Sequence, residues 1–264
     1  MTSELKRRTE FTVDLARRAG TFGMEYFRRL DTLTIESKGH QDLVSEADRE
    51  VELFVRRELA KNYPDDGIVG EEHAPTAGTS GFTWVIDPID GTANFVRGIP
   101  AWTVVIACAR NGETMVGVIH EPATNETFHG WRGGGAFLND KPIRANDAEN
   151  LSEGSVGTGF SNRREIRNII PFIEALFEDG GVFYRNASGA LMLAYVASGR
   201  LLGYVEEHMN AWDCIAGLLL IEEAGGKVVQ PDPATVLEHG TVVIAGGAGV
   251  FDRIEALSRQ AFKL

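Results

Sequence analysis

The stretch WVIDPIDGTANFVRGIP, Trp84 to Pro100, closes an apolar run with two carboxylates, Asp87 and Asp90, set either side of Pro88-Ile89 and followed at once by Gly91-Thr92. Phe82 to Ile86 reads as a buried strand. Pro88 reads as the end of its ladder, because proline has no N–H to give, and Gly91-Thr92 as the opening of a short helix or turn. Both aspartates then fall at the carboxyl end of a strand, where α/β folds gather their sites. Two adjacent carboxylates facing one cleft repel unless one holds a proton or a cation intervenes, and hard oxygen donors suit magnesium or manganese over zinc. In VGEEH, Val69 to His73, Glu71 offers a further carboxylate at the end of another short strand, with Glu72 beside it less well placed. The amides of Gly91 through Ala93, at a helix start, can hold a phosphate without a side chain. A plain turn with a capping aspartate is the competing reading, and six residues leave it open.

Downstream, WDCIAGLLLIEEAGG (Trp212 to Gly226) puts Asp213 in the first turn of an otherwise apolar helix that ends in Gly225-Gly226. A carboxylate there is also what the helix dipole favours without any site. Upstream, Phe11, Leu15, Ala19, Phe22, Tyr26 and Leu30 recur at steps of three or four, which predicts one amphipathic helix over the first thirty residues. Ser45 announces a second helix, with Glu46 and Asp48 in its first turn and Val51, Phe54, Val55 and Leu59 as its apolar face.

Between the two acidic stretches, strand-like runs at 68–69, 82–86, 102–107, 114–120 and 126–131 with turns at Asn111-Gly112 and at 122–125 predict an antiparallel sheet. Gly133-Gly134-Gly135 reads as a turn. From Gly154 onward strand and helix alternate: strands at 155–159, 181–184, 201–205, 227–230 and 242–245, helices near 164–177, 188–198, 211–224 and 250–262. The expected fold class is α/β, in α+β layers: two sheets with helices between and around them. The expected organisation is a single domain over 1–264 with two subdomains divided near 145–154.

Composition narrows the function classes. At 264 residues, 43% hydrophobic and 24% charged, the chain has the balance of an ordinary globular protein. A net charge of −12, from 26 basic and 38 acidic side chains, disfavours nucleic acid and anionic membranes as partners. An anionic substrate would then need a local positive charge, which bound divalent cations supply. Two cysteines without a C-x-x-C pair indicate neither a disulfide framework nor a zinc ribbon. The charged, amphipathic N-terminus has no apolar signal core, and no run approaches the roughly 18 apolar residues of a membrane span. A cytoplasmic location is the expectation.

With these stretches together, the chain resembles the inositol monophosphatase family of magnesium-dependent, lithium-sensitive phosphatases. WVIDPIDGTANF (Trp84 to Phe95) matches the family's first signature and WDCIAGLLLIEEAGG its second, while DLVSEAD (Asp42 to Asp48) and GEE (Gly70 to Glu72) match further elements in the family's order. The resemblance implies an αβαβα sandwich of the inositol monophosphatase / fructose-1,6-bisphosphatase type and a homodimer. It implies two or three magnesium ions, with manganese as an alternative, held by the carboxylates of Glu71, Asp87, Asp90 and Asp213 and the backbone carbonyl of Ile89. It also implies that Thr92, paired with Asp48, orients and helps deprotonate an attacking water activated by the metal, with no covalent phosphoenzyme.

For the polyol part of the substrate the resemblance points to Ala187, Ser188 and Gly189 of RNASGAL and to Glu206, which could equally be a solvated strand-end acid beside Glu207. Lys38 matches a basic residue near the metal or phosphate, against the plain reading of a solvent-exposed loop lysine. His73, His120, His129 and His208 lack ligand spacing and are assigned to structure or solvent, and Cys214 to packing. The activity expected is hydrolysis of an inositol monophosphate to inositol and phosphate. The alternatives are the same chemistry on fructose 1,6-bisphosphate, histidinol phosphate or a 3'-phosphoadenosine nucleotide, a regulatory binding protein on the same fold, and a structural calcium site.

Overall fold

The computed structural model describes residues 2–39, 42–161 and 163–264; the side chains of Thr32, Ser37, Lys38, Asp42, Leu43 and Val44 lie outside that description, and with them the role implied for Lys38. The first apolar stripe forms helix α1 (Thr2–Phe27), which ends before Leu30 and passes into a short 3-10 turn at Leu30–Thr32. Its Arg8 is buried between the rings of Tyr63 and Phe82, 4.4 and 4.0 Å from their centroids, and its guanidinium donates to Asp66 at 2.5 Å. Strands β1 (Ile35–Gly39) and β2 (Asp42–Ser45) form a hairpin that the sequence reading did not anticipate. Ser45 then caps α2 (Glu46–Asn62), and Val51, Val55 and Leu59 are fully buried on its inner face.

Among the described residues a first sheet comprises β3 (Gly67–Gly70), β4 (Phe82–Asp90), β5 (Thr103–Arg110), β6 (Glu113–Glu121), β7 (Glu126–Trp131), β8 (Gly135–Leu138) and β9 (Lys141–Pro142), in that spatial order. A short helix, α3 (Thr92–Phe95), follows β4. The expected antiparallel pairing holds from β4 to β9, but β3 lies parallel to β4, because residues 71–81 carry the chain back before β4 begins. The triple-glycine segment turns as expected and releases the chain into β8 and β9, two strands too short to show a period.

Residues 143–154 cross to a second sheet. It is built from β10 (Ser155–Thr158), β11 (Val182–Tyr184), β12 (Gly203–Met209), β13 (Lys227–Val228) and β14 (Thr241–Gly246), in the order β11-β10-β12-β14-β13. Helices α4 (Ile170–Glu178), α5 (Gly189–Ala197), α6 (Ala211–Glu223), α7 (Val236–His239) and α8 (Phe251–Phe262) are interspersed. Helix α4 starts later than the periodicity suggested because Pro171, lacking an N–H, fits only the first turn; Ile166–Ile169 forms a separate 3-10 turn.

The layers run α1 and α2, first sheet, α5 and α6, second sheet, α4 and α8. This is the αβαβα sandwich. Separate apolar clusters fill the spaces: Trp84, Ile86 and Ile89 pack with α1 and α2, Val85 and Val105 with α5 and α6, and Val205 and Ile244 with α4 and α8. Strand β4 is thus buried on both faces, which is why its sequence is a continuous apolar run rather than an alternation.

Candidate active site

Strand β4 does not stop at Pro88. Asp87 pairs with Val105 and Asp90 with Thr103, so three steps on β4 span two on β5 and one residue is bulged out. Strand β3 ends opposite Ile86, so beyond that point β4 has, among the described residues, a strand neighbour on one side only and tolerates a residue without an N–H. The bulge decides the chemistry. In a regular strand, residues three apart point to opposite faces; the inserted residue brings Asp90 round to the side of Asp87, toward α5 and α6. Asp213, in the first turn of α6, meets them there, and single carboxylate oxygens of Asp87, Asp90 and Asp213 lie within 4.8 Å of one another. Among the described residues no histidine or cysteine joins this cluster.

Each of these acids is also tied to the backbone. Asp87 Oδ1 accepts from the Ile89 amide at 2.9 Å, and Asp213 Oδ2 from the amide and side chain of Asn210 at 3.1 and 3.2 Å, closing a capping box on α6. Asp90 accepts the amides of Gly189 and Ala190 at 3.2 and 3.1 Å, the Ser188 hydroxyl, and the Thr103 hydroxyl at 3.3 Å, so it caps α5. Turn or cap and site were therefore not alternatives, because a carboxylate has lone pairs enough for both. Burial raises the pKa of all three acids, and neighbouring carboxylates push Asp87 and Asp213 further in the same direction. Glu71 stands just after β3, its amide donating to the Ile86 carbonyl at 3.3 Å; it lies outside the three-oxygen cluster but its charge also raises Asp87.

Gly91, at φ +93°, turns the chain from β4 into α3; a side chain there would sit 3.0 Å from the Ala101 carbonyl oxygen. The turn brings the Thr92 hydroxyl to 3.0 Å from both Asp48 Oδ1 and the Ile89 carbonyl oxygen. Asp48 is fully buried, and its other oxygen accepts the Ser45 amide at 2.8 Å and the Ser45 hydroxyl at 2.6 Å. Burial outweighs these bonds and pushes its pKa up to about 6. The first amides of α3, Thr92 and Ala93, have no intrahelical carbonyl to meet.

A cavity of about 170 Å³ opens beside the cluster, lined by Asp90, Asp213, Ala187, Gly189, Tyr204, Glu206, Arg185 and Phe160 among others. Glu206 is buried at its wall and accepts the Tyr204 hydroxyl at 2.6 Å; burial pushes its pKa up to about 8. Ser188, by contrast, is fully buried with its hydroxyl turned to Asp90, so the wall at this point is formed by Ala187 and Gly189. Arg185, 4.4 Å over the Phe160 ring, is a lining residue to which the sequence reading gave no role, although it opens the RNASGAL stretch. His120 is buried and His129 half-buried in the first sheet, where loss of water lowers their pKa values and favours the neutral ring.

The profile of the inositol monophosphatase family matches residues 4–260. The chain belongs to the inositol monophosphatase family. An inositol-1-monophosphatase of Rhizobium meliloti is 41% identical over 222 residues, covering 82% of this chain and 83% of that protein. The Nus factor SuhB of Xylella fastidiosa is 41% identical over 218 residues, covering 82% and 79%. The crystal structure of the extragenic suppressor protein suhB of Bartonella henselae superposes with a TM-score of 0.89 at 32% identity, covering 95% of this chain and 98% of that one. Membership of the inositol monophosphatase family carries phosphatase chemistry and, with the buried acidic cluster, a metal-binding character.

Proposed function

We propose that the protein is a magnesium-dependent phosphomonoesterase that hydrolyses an inositol monophosphate to inositol and phosphate. The observation that carries this reading is the convergence of Asp87, Asp90 and Asp213 within 4.8 Å, next to the Thr92–Asp48 pair and the cavity. The donor set fits a hard cation: every donor is oxygen, the acids, two of them buried and Asp213 half-buried, have raised pKa values, and a divalent cation would relieve their repulsion. Asp87, Asp90, Asp213, Glu71 and the Ile89 carbonyl would hold magnesium or manganese. When bound, the metal supplies Lewis acidity toward water and charge neutralisation at the leaving oxygen.

The chain's own groups do the rest. Asp48 accepts the hydroxyl proton of Thr92, which turns the Thr92 oxygen lone pairs toward a water and orients that water for in-line attack on phosphorus. Amides of Gly91, Thr92 and Ala93 hold phosphate oxygens. Glu206, with Tyr204 behind it, receives polyol hydroxyls, while Ala187 and Gly189 offer backbone and little bulk; Ser188 acts through Asp90. We further infer a cytoplasmic homodimer. Val182, Phe183 and Tyr184 of edge strand β11 and Phe177 of α4 are exposed, and a second copy would cover them.

Phosphate release from inositol 1-phosphate, fructose 1,6-bisphosphate, histidinol phosphate and a 3'-phosphoadenosine nucleotide tests the reading, each with magnesium, with EDTA, and with magnesium plus lithium. Lithium-inhibited preference for inositol 1-phosphate supports it, and preference for another ester moves the substrate within the same chemistry. Silence across the panel favours a regulatory binding role, a second reading prompted by the relative named Nus factor SuhB.

A further inference from the structure

Glu52 is fully buried on α2, and a carboxylate taken out of water is tolerated only when donors surround it. Its donors come from one loop and one arginine. Oε2 accepts the Glu72 amide at 2.7 Å, and Oε1 accepts the His73 amide at 3.2 Å and Arg56 Nε at 2.6 Å. Arg56 closes the clamp by donating its Nη2 to the His73 carbonyl at 3.0 Å. Gly70 makes the approach possible: a Cβ there would sit 2.3 Å from Glu52 Oε1.

We propose that Glu52, braced by Arg56, is a positioning residue for Glu71 and thereby sets the affinity of the site for its divalent cation. Glu71 lies between two anchors: its own amide is bonded to Ile86 of β4, the residue before Asp87, and the two amides that follow it are bonded to Glu52. Asp48 and Glu52 are four residues apart on α2 and so share a helix face. One rigid helix therefore sets both the Thr92 partner and the Glu71 loop. A glutamine at 52 would aim its NH2 at donors and lose half of the clamp.

The inference rests on the metal-dependent reading above, and its test separates the two. Magnesium alone is titrated calorimetrically into the full-length, EDTA-treated protein, and turnover of inositol 1-phosphate is measured against magnesium concentration. The variants are Glu52→Gln, Arg56→Gln and, as a control that loosens α2 without touching the loop, Leu59→Ala. Both clamp variants should bind magnesium about 10–100-fold more weakly, with turnover at saturating magnesium within about threefold of wild type. Leu59→Ala should lower thermal stability and leave magnesium affinity unchanged. If Glu52→Gln does not fold, Arg56→Gln decides. Wild-type binding that the clamp variants retain in full overturns the positioning role alone; a wild-type protein that binds no magnesium overturns the metal reading and the positioning role with it.

Discussion

The hydroxyl of Ser188 donates to the carboxylate of Asp90 across 98 residues of sequence, tying the start of α5 to the bulged end of β4. Ser188→Ala removes a donor from a buried acid and should destabilise the protein by about 1–3 kcal/mol in urea unfolding. The Michaelis constant for substrate should stay near wild type at saturating magnesium. A variant of unchanged stability with a raised Michaelis constant would instead make Ser188 a substrate contact.

Asp213→Asn removes one of three clustered like charges, two of them buried, and keeps an oxygen for the Asn210 amide. Turnover should fall more than about 100-fold, because a ligand outweighs the groups that orient it. In EDTA the same variant should melt above wild type, since repulsion is relieved, and magnesium should no longer raise its melting temperature. A variant that melts below wild type in EDTA while keeping its magnesium response contradicts the cluster as the metal site.

Thr92→Val deletes the one hydroxyl that, among the described residues, donates to Asp48 Oδ1. The rate constant at saturating substrate should drop by about 10²–10⁴, the usual range for a lost general acid–base partner, and Thr92→Ser should recover most of it. Equal activity in the valine and serine variants would remove Thr92 from the reaction.

The metal-free protein should lose stability as pH rises. Asp48 carries an ordinary carboxylate value of 3.8 when unfolded and about 6 when folded, so the folded state holds the proton more tightly. Its contribution is fully present below about pH 4 and lost as pH passes through 6, a change on the order of 3 kcal/mol. Glu206, raised from 4.5 to about 8, extends the loss upward. Melting temperatures in EDTA should therefore fall between about pH 4 and 8, with Glu206→Gln flattening the upper half of that window. Magnesium should suppress the fall, and a metal-free profile that rises over this window would count against the buried acids as assigned.

Much of this was legible in the sequence because it rests on local pattern. The three-to-four spacing of Leu15, Ala19 and Tyr26 gave α1, Ser45 with Asp48 gave the start of α2, and the apolar stretch after Asp213 gave α6. The hairpin β1–β2 and strands β8 and β9 escaped because short segments carry no measurable period. Pro88 was read by its missing N–H alone, and the reading failed because β3 ends opposite Ile86 and, among the described residues, no strand on that side needs that N–H.

What the sequence by itself determined is the supply of groups: which residues are acids, where α2 and α6 begin, and that Gly91 must turn where no other residue type turns freely. Which carboxylates share a side was decided by the tertiary structure alone. A bulge whose register depends on β5 rotates Asp90 onto the face of Asp87, and α6, more than a hundred residues later, delivers Asp213 to it. The same holds for the Glu52 clamp on the Glu71 loop and for Ser188, whose hydroxyl is turned inward by the packing of α5 on β4. Side-chain type is local and written in the chain. Side-chain direction depends on strand register and helix docking, which exist only once distant segments have packed together.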